Sequence, residues 1–367
     1  MTEGGIRTPE DLSDIYRRAV SDEDLPISLT LTLGEKHYSF RKLSWDISGE
    51  LRGLRYGTNP HQAAAIYVPE DRTRIFMAGL TWKKWGKGGP SATNIEDGYR
   101  ALRIVSHFQM PAAAVMKHLN PSGVGISNED RLVDAFEKAW NGDPRAAYGC
   151  TLGFNSLVDK SVAEAITQRF VECIFAPCYS PEALEILGGK EIIRAAEIPD
   201  IDELERETFP YEVKILGNSL LLEQTFATRI RGLSDLKSCK CVTRRGPSEV
   251  ELKDMLYSWW VCSEKRSNGV VIWKNDEALA VGTGQQDRIG AIEIALSRAS
   301  RAGHDLKGSA LASDGFLLKD NIEPLAEAGV TAIVQPGGSR YDDNVIEACE
   351  KYDISMLFTG ERVFRHF

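Results

Sequence analysis

The chain has 367 residues, 43% hydrophobic and 26% charged, with 53 acidic against 44 basic side chains and a net charge of −9. That composition can bury a sizeable core and excludes global disorder. The acidic balance disfavours electrostatic capture of nucleic acid or of an anionic membrane surface.

At about 150 residues per domain, two to three structural units are expected. No apolar run approaches the roughly 18 residues needed to span a bilayer. The first residues, Met-Thr-Glu-Gly-Gly-Ile-Arg, lack the apolar centre of a secretion signal, so a cytoplasmic protein is expected. Seven scattered cysteines, an odd number, predict reduced and mostly buried thiols. Cys239-Lys240-Cys241 has no second pair or nearby His to complete a zinc site.

In chain order, residues 1–50 are predicted to form an N-terminal extension in which Ile27–Leu33 alternates as a strand does. A first α/β unit is expected over 51–200. It opens with the loop Arg55-Tyr-Gly-Thr-Asn-Pro-His61, either an ordinary turn or a binding loop for a phosphorylated polar ligand, because Arg pairs bidentately with phosphate. A helix over Asn94–Phe108 and a strand over Ala112–Met116 follow, and the strand delivers Lys117-His-Leu-Asn-Pro-Ser-Gly123. Polar residues at the carboxyl end of a buried strand are held rigidly at a cleft. There a His can accept a proton near neutral pH while an adjacent cation stabilises a developing oxyanion. The alternative is a surface Lys beside a hydrogen-bonded His. Thr151–Asn155 then leads into a helix, Lys160–Phe170, and a strand, Cys173–Pro177.

A polar connecting segment is expected over 201–255 and a second α/β unit over 256–367. Trp259-Trp260 reads as core or subunit interface. Val281–Arg288 is a Gly-rich turn from a strand into a helix near Ile289, and such a turn presents N–H groups to an anion. It lacks the third Gly of a dinucleotide fingerprint, and the chain has no Walker A sequence. Ala310–Phe316 leads into a helix, Asn321–Ala328, and a strand, Thr331–Pro336, repeating the order seen in the first unit. The loop Gln335–Ser339 takes the place of Pro177. A weaker echo links Lys117–Asn120 with Lys265–Asn268, and together these point to an internal duplication. The aromatic and basic end, Phe358–Phe367, predicts a docked tail.

In combination the motifs resemble the folate-dependent aminoimidazole carboxamide ribonucleotide (AICAR) formyltransferases of purine biosynthesis. That family's Arg-Tyr-Gly-x-Asn-Pro-His-Gln is matched by Arg55–Gln62 and its Lys-His-x-Asn-Pro by Lys117–Pro121. Its Ser-Asn, Gly-x-Gly-Gln-Gln-x-Arg, Ser-Asp-x-Phe, Pro-x-Gly-Ser and Arg-x-Phe are matched, in order, by Ser267-Asn268, Gly282–Arg288, Ser313–Phe316, Pro336–Ser339 and Arg362–Phe364. The resemblance implies two related cytidine-deaminase-like α/β subdomains with mixed sheets. It also implies no zinc site, since the deaminases' His-x-Glu and Pro-Cys-x-x-Cys are missing at His107, His118 and Pro177-Cys178.

By resemblance, 10-formyltetrahydrofolate donates its formyl group to the 5-amino group of AICAR, with His118 as general base and Lys117 stabilising the oxyanion. Arg55, Tyr56, Asn94, Gly149, Glu172, Asn268, Arg288, Phe316 and Arg362 fall at nucleotide positions, and Ile289, Asp320, Ser339 and Arg340 at folate positions. A homodimer sharing its sites between subunits is implied, with no metal, nucleic acid or membrane partner. Two departures are present. Only about 50 residues precede the first motif, which predicts that the family's inosine monophosphate cyclohydrolase activity is missing and the transferase stands alone. Phe316-Leu-Leu-Lys-Asp320 is one residue shorter than the family's Phe-Phe-Pro-Phe-Arg-Asp. A paralogue with another acceptor or donor is therefore the alternative. A non-catalytic nucleotide-binding regulator is a third reading, disfavoured by the presence of both Lys117 and His118.

Overall fold

The computed structural model describes residues 18–70, 77–201, 204 and 209–367. Residues 1–17 of the predicted extension and most of the acidic run Asp200–Glu207 lie outside the described residues. Within the rest of the extension, Ser28–Leu33 is a strand, as its alternation predicts, and pairs antiparallel with Lys36–Lys42.

Two runs of nine elements follow one another. The first is α1 (Ala92–Val105), β1 (Ala112–Lys117), β2 (Asn120–Ile126), α2 (Leu132–Gly142), β3 (Cys150–Phe154), α3 (Lys160–Thr167), β4 (Val171–Ala176), α4 (Pro181–Gly188) and β5 (Arg194–Glu197). The second is α5 (Glu249–Glu264), β6 (Val270–Lys274), β7 (Glu277–Gly282), α6 (Arg288–Ala302), β8 (Ser309–Ser313), α7 (Ile322–Ala328), β9 (Val330–Gln335), α8 (Asp342–Lys351) and β10 (Ser355–Phe358). Each run is a helix, an antiparallel hairpin, and three parallel strands joined through helices. The duplication and the mixed α/β class expected from the sequence are therefore explicit in the topology.

The ten strands form one sheet in the order β10-β9-β8-β6-β7-β2-β1-β3-β4-β5, edged by Lys240–Cys241 beside β10 and by Thr81–Lys84 beside β5. The halves meet where β7 pairs antiparallel with β2. Strand periodicity divides the core. Ala112, Ala114 and Met116 of β1 face one apolar cluster with Leu102 of α1 and Met255 and Trp259 of α5. Ala113 and Val115 face a second cluster with Phe136, Val162 and Leu187. A third cluster under α6–α8 contains Ile292, Leu325 and Val345. Trp259 and Trp260 are core residues, with indole N–H groups donating to Thr228 Oγ1 and the Ile230 carbonyl.

Some local expectations shift. α1 begins two residues early because Ser91 and Asn94 form a reciprocal capping box. It ends at Val105, where the Ser106 hydroxyl donates to the Arg103 carbonyl. The echo of Lys117–Asn120 in Lys265–Asn268 is not an equivalence. Lys117–Asn120 closes the β1–β2 hairpin, whose counterpart is Lys274–Glu277, whereas 265–268 connects α5 to β6. Similar residues reach the same sheet end by different routes.

Close packing of α2 on β2 and of α6 on β7 requires glycine. A Cβ on Gly123 would lie 1.9 Å from the Ala139 carbonyl oxygen, and one on Gly282 would lie 1.8 Å from that of Ala291. Gly123→Ala is expected to destabilise the fold by about 1–3 kcal/mol, the usual range for overpacking. Denaturant unfolding would detect this as a lowered midpoint, and an unchanged midpoint would show that α2 can retreat freely.

Candidate active site

Strand directions determine where the predicted residues gather. Because β2 and β7 are antiparallel, the parallel strands of the two halves run in opposite senses. One end of the sheet therefore collects the carboxyl ends of β1, β7, β8, β9 and β10 together with the amino ends of β3, β4, β5 and β6. The sequence reading placed the chemistry at carboxyl ends. That holds for His118, but Gly149 and Glu172 sit at the amino ends of β3 and β4.

The first half contributes one cluster. Arg55 N–H donates to the Pro90 carbonyl at 2.7 Å and Ala92 N–H to the Tyr56 carbonyl at 2.9 Å, which fixes the Arg55 loop to the start of α1. The buried Arg55 guanidinium lies 4.6 Å over the Tyr56 ring and donates to its hydroxyl at 3.0 Å. Its Nε is buried without a partner. Burial and the neighbouring Arg194 lower the Arg55 pKa, against the pull of Tyr56 and Glu172. Asn94 Nδ2 donates to Glu172 Oε2 at 3.4 Å, and Lys117 Nζ to the Gly149 carbonyl at 2.5 Å. Gly149 has φ +68, and a Cβ there would come within 3.2 Å of Lys117 Nζ. The His118 side chain is exposed.

The second half contributes another. Asp314 is fully buried between two cations, accepting from Lys265 Nζ at 2.6 Å and Arg288 Nη1 at 2.5 Å. Arg288 also donates to the Gly269 carbonyl at 3.0 Å, and its Nε is buried without a partner. Asn268 Nδ2 donates to the carbonyls of Gln285 and Gln286, both at 3.1 Å, pinning the Gly-rich turn. Arg362 lies 4.6 Å from the Phe364 ring, which also faces Arg288. Val363 N–H donates to the Asp314 carbonyl, so the tail is docked as predicted.

Asn120 joins the clusters. Its Oδ1 accepts from Arg266 N–H at 3.3 Å and Thr283 Oγ1 at 3.2 Å, and its Nδ2 donates to the His118 carbonyl at 3.1 Å. Phe316 is 47% exposed at the end of β8. Ile289 is half-buried in the first turn of α6. Asp320, Ser339 and Arg340 lie on the loops after β8 and β9, which are tied by the Leu317 N–H donating to Gln335 Oε1 at 2.9 Å.

Three contributors escaped the sequence reading. Arg194, 2% exposed, donates to the carbonyls of Gly89, Lys87, Ile192 and Glu172 and so knits the loops around Arg55. Asp97 accepts from the amides of the His118 turn. Burial raises the Asp97 carboxyl, while the Leu119 and His118 amides draw it back down. Lys265 is the third. Only its place beside Ser267-Asn268 and Asp97's place one turn after Asn94 offered a sequence signal.

This end of the sheet thus presents fixed guanidinium and ammonium groups, carboxylates and an exposed imidazole, a combination suited to an anionic ligand and to proton transfer. Among the described residues no group of three or more His, Cys, Asp or Glu side chains could hold a metal ion, and no helix is long and apolar enough to cross a membrane.

The AICARFT/IMPCHase bienzyme family model matches residues 18–298. The bifunctional purine biosynthesis protein PurH of Anoxybacillus flavithermus is 36% identical over 352 residues, covering 96% of this chain and 63% of that protein. PurH of Lysinibacillus sphaericus is 38% identical over 354 residues, covering 95% and 63%. The chain therefore spans less than two thirds of these relatives' length. A dCMP deaminase from the cyanophage S-TIM5, in complex with dCMP and dUMP, matches with a TM-score of 0.21 and 19% identity, over 24% of this chain and 77% of that one, too slight a likeness to carry an argument.

Proposed function

The chain belongs to the AICARFT/IMPCHase bienzyme family, and on that premise we propose that it transfers the formyl group of 10-formyltetrahydrofolate to the 5-amino group of AICAR. The observation that carries this reading is the single end of the sheet to which Lys117-His118, the Arg55 cluster and the Arg288 cluster all belong, with one guanidinium from each half. Both have a buried Nε without a protein partner, which suits an anionic ligand.

In the proposed reaction the AICAR amine attacks the formyl carbon, forming a C–N bond. His118 accepts the proton that the amine loses. The tetrahedral oxyanion is stabilised by Lys117, whose ammonium is already held at the Gly149 carbonyl. Collapse breaks the bond between the formyl carbon and folate N10, which receives a proton, giving formyl-AICAR and tetrahydrofolate. Arg55, Tyr56, Asn94, Gly149, Glu172, Asn268, Arg288, Phe316 and Arg362 are assigned to the nucleotide, and Ile289, Asp320, Ser339 and Arg340 to the folate. We further assign a homodimer and a cytoplasmic location.

Purified protein given AICAR and 10-formyltetrahydrofolate is expected to yield formylated AICAR and tetrahydrofolate, identified by mass. A second reading, a different formyl donor, is favoured by the short Phe316–Asp320 loop, where Leu318 is exposed where the family has an aromatic residue. Intact AICAR binding by calorimetry without turnover would support that reading and contradict the first.

A further inference from the structure

Asp97 lies on α1 and is 4% exposed. Its two carboxylate oxygens accept separately from consecutive amides, Oδ1 from Leu119 N–H at 2.6 Å and Oδ2 from His118 N–H at 3.3 Å. These residues form the β1–β2 turn, and both have left-handed backbones, with φ +54 at His118 and +65 at Leu119. Side-chain-bearing residues resist that conformation, a bulky leucine more than Asn or Asp. The second half supplies an internal control. Its β6–β7 turn places Asn275 and Asp276 at φ +53 and +67. These residue types tolerate the left-handed region, and among the described residues no helix carboxylate accepts from that turn's amides. The first turn has the less tolerant residues and the external clamp.

We propose that Asp97 is a positioning residue for formyl transfer: it holds His118 and Leu119 in their left-handed turn and so fixes the His118 imidazole at the cleft. This rests on the reading of His118 as the base. Here each N–H has its own carboxylate oxygen, whereas an amide side chain has one accepting oxygen and would turn its NH2 toward the second donor. Asp97 has no direct contact with a substrate in this scheme. It acts through the backbone of the residue that does.

The test compares wild type, Asp97→Ala and Asp97→Ala with Leu119→Gly by steady-state kinetics, together with hydrogen exchange at the Leu119 amide without substrate. Asp97→Ala is expected to lower kcat about 100-fold with the KM for AICAR changed less than about threefold, since small misplacements of a reacting group cost on that scale. Glycine at 119 adopts positive φ freely, so the double variant should regain about tenfold of the lost kcat. A merely structural Asp97 would lower stability or raise KM without this rescue.

Should Asp97→Ala fail to fold, Asp97→Asn keeps one acceptor and is expected to lose about tenfold in kcat, again relieved by Leu119→Gly. An unchanged kcat in a folded Asp97 variant, or no rescue by glycine, would overturn the proposal. The exchange measurement is independent of turnover. A protected Leu119 amide that loses protection in Asp97→Ala supports the clamp even if wild type forms no formyl-AICAR, an outcome that would overturn the function reading instead. An unprotected wild-type Leu119 amide would overturn the clamp.

Discussion

His118→Ala is expected to reduce kcat for formyl transfer by about 10³-fold, within the range that a positioned general base contributes. The AICAR amine is aromatic and weakly nucleophilic, so attack on the formyl carbon builds positive charge on nitrogen unless a base removes the proton. His118 is an exposed imidazole in the turn after β1, next to Lys117 and with its carbonyl accepting from Asn120. Nucleotide binding should largely survive, because the candidate phosphate and ribose contacts are carried by other side chains, Arg55 and Arg288 among them. Single-turnover kinetics paired with calorimetry would separate these effects. An unchanged rate would remove His118 from the base role, and lost binding with an unchanged bound-state rate would make it a ligand contact.

The largest stability effect is expected at Glu264, at the end of α5. Its carboxylate is 1% exposed and faces four cationic or protonatable groups. Arg103 is paired bidentately, with Nε at 2.9 Å and Nη2 at 2.8 Å, Arg365 lies at 3.1 Å, and Arg100 and His107 lie at 3.8 Å. Burial pushes this carboxyl up, but Arg103 and Arg365 overcome it and hold it well below the usual carboxylate range.

Glu264→Gln leaves buried guanidinium charge uncompensated. Removing one partner of such a cluster costs about 3–5 kcal/mol. That corresponds to a fall in thermal midpoint of roughly 6–20 °C, taking 2–4 °C per kcal/mol. A depressed folded-state pKa gives stability that is fully present above the unfolded value of about 4.3 and is lost as pH falls toward the folded one. Wild type should therefore lose stability on acidification below about pH 4.3, and Glu264→Gln should lose less over that window. Equal midpoints for the two proteins at neutral pH would show that water screens the cluster.

Much of the candidate site was legible in the sequence because its motifs are short and local. Arg55–Gln62 is one loop, Lys117–Pro121 one hairpin turn, and Gly282–Arg288 one strand-to-helix connection. The repeat was legible where a strand, loop and helix recur within about 25 residues, as in Thr151–Pro177 and Ala310–Pro336. What sequence could not supply was the arrangement of the halves. The antiparallel β2–β7 contact joins Gly125 to Glu277, and that pairing brings the amino ends of β3–β5 and the carboxyl ends of β8–β10 to one end of the sheet.

The same distance problem hid the charge partners. Arg103 and Glu264 are 161 residues apart, and Lys265 and Asp314 are 49 apart. Neither pair has a local spacing that a sequence pattern could reveal. The false echo of Lys117–Asn120 in Lys265–Asn268 arose from composition, since both segments end up beside the cleft although they occupy different places in the repeat. α5 was missed for a related reason. It is buried along nearly its whole length, so the one-sided apolar stripe of a surface helix is missing.

Whether the two halves serve one site around His118 is decided by a crystal structure of the protein with AICAR. The exocyclic amine nitrogen is expected within hydrogen-bond reach of the His118 imidazole, about 2.6–3.2 Å or through one water. Arg55 and Arg288 are expected to contact the same nucleotide. AICAR bound away from this end of the sheet, or with its amine turned from His118 and its phosphate on neither guanidinium, would contradict a shared site.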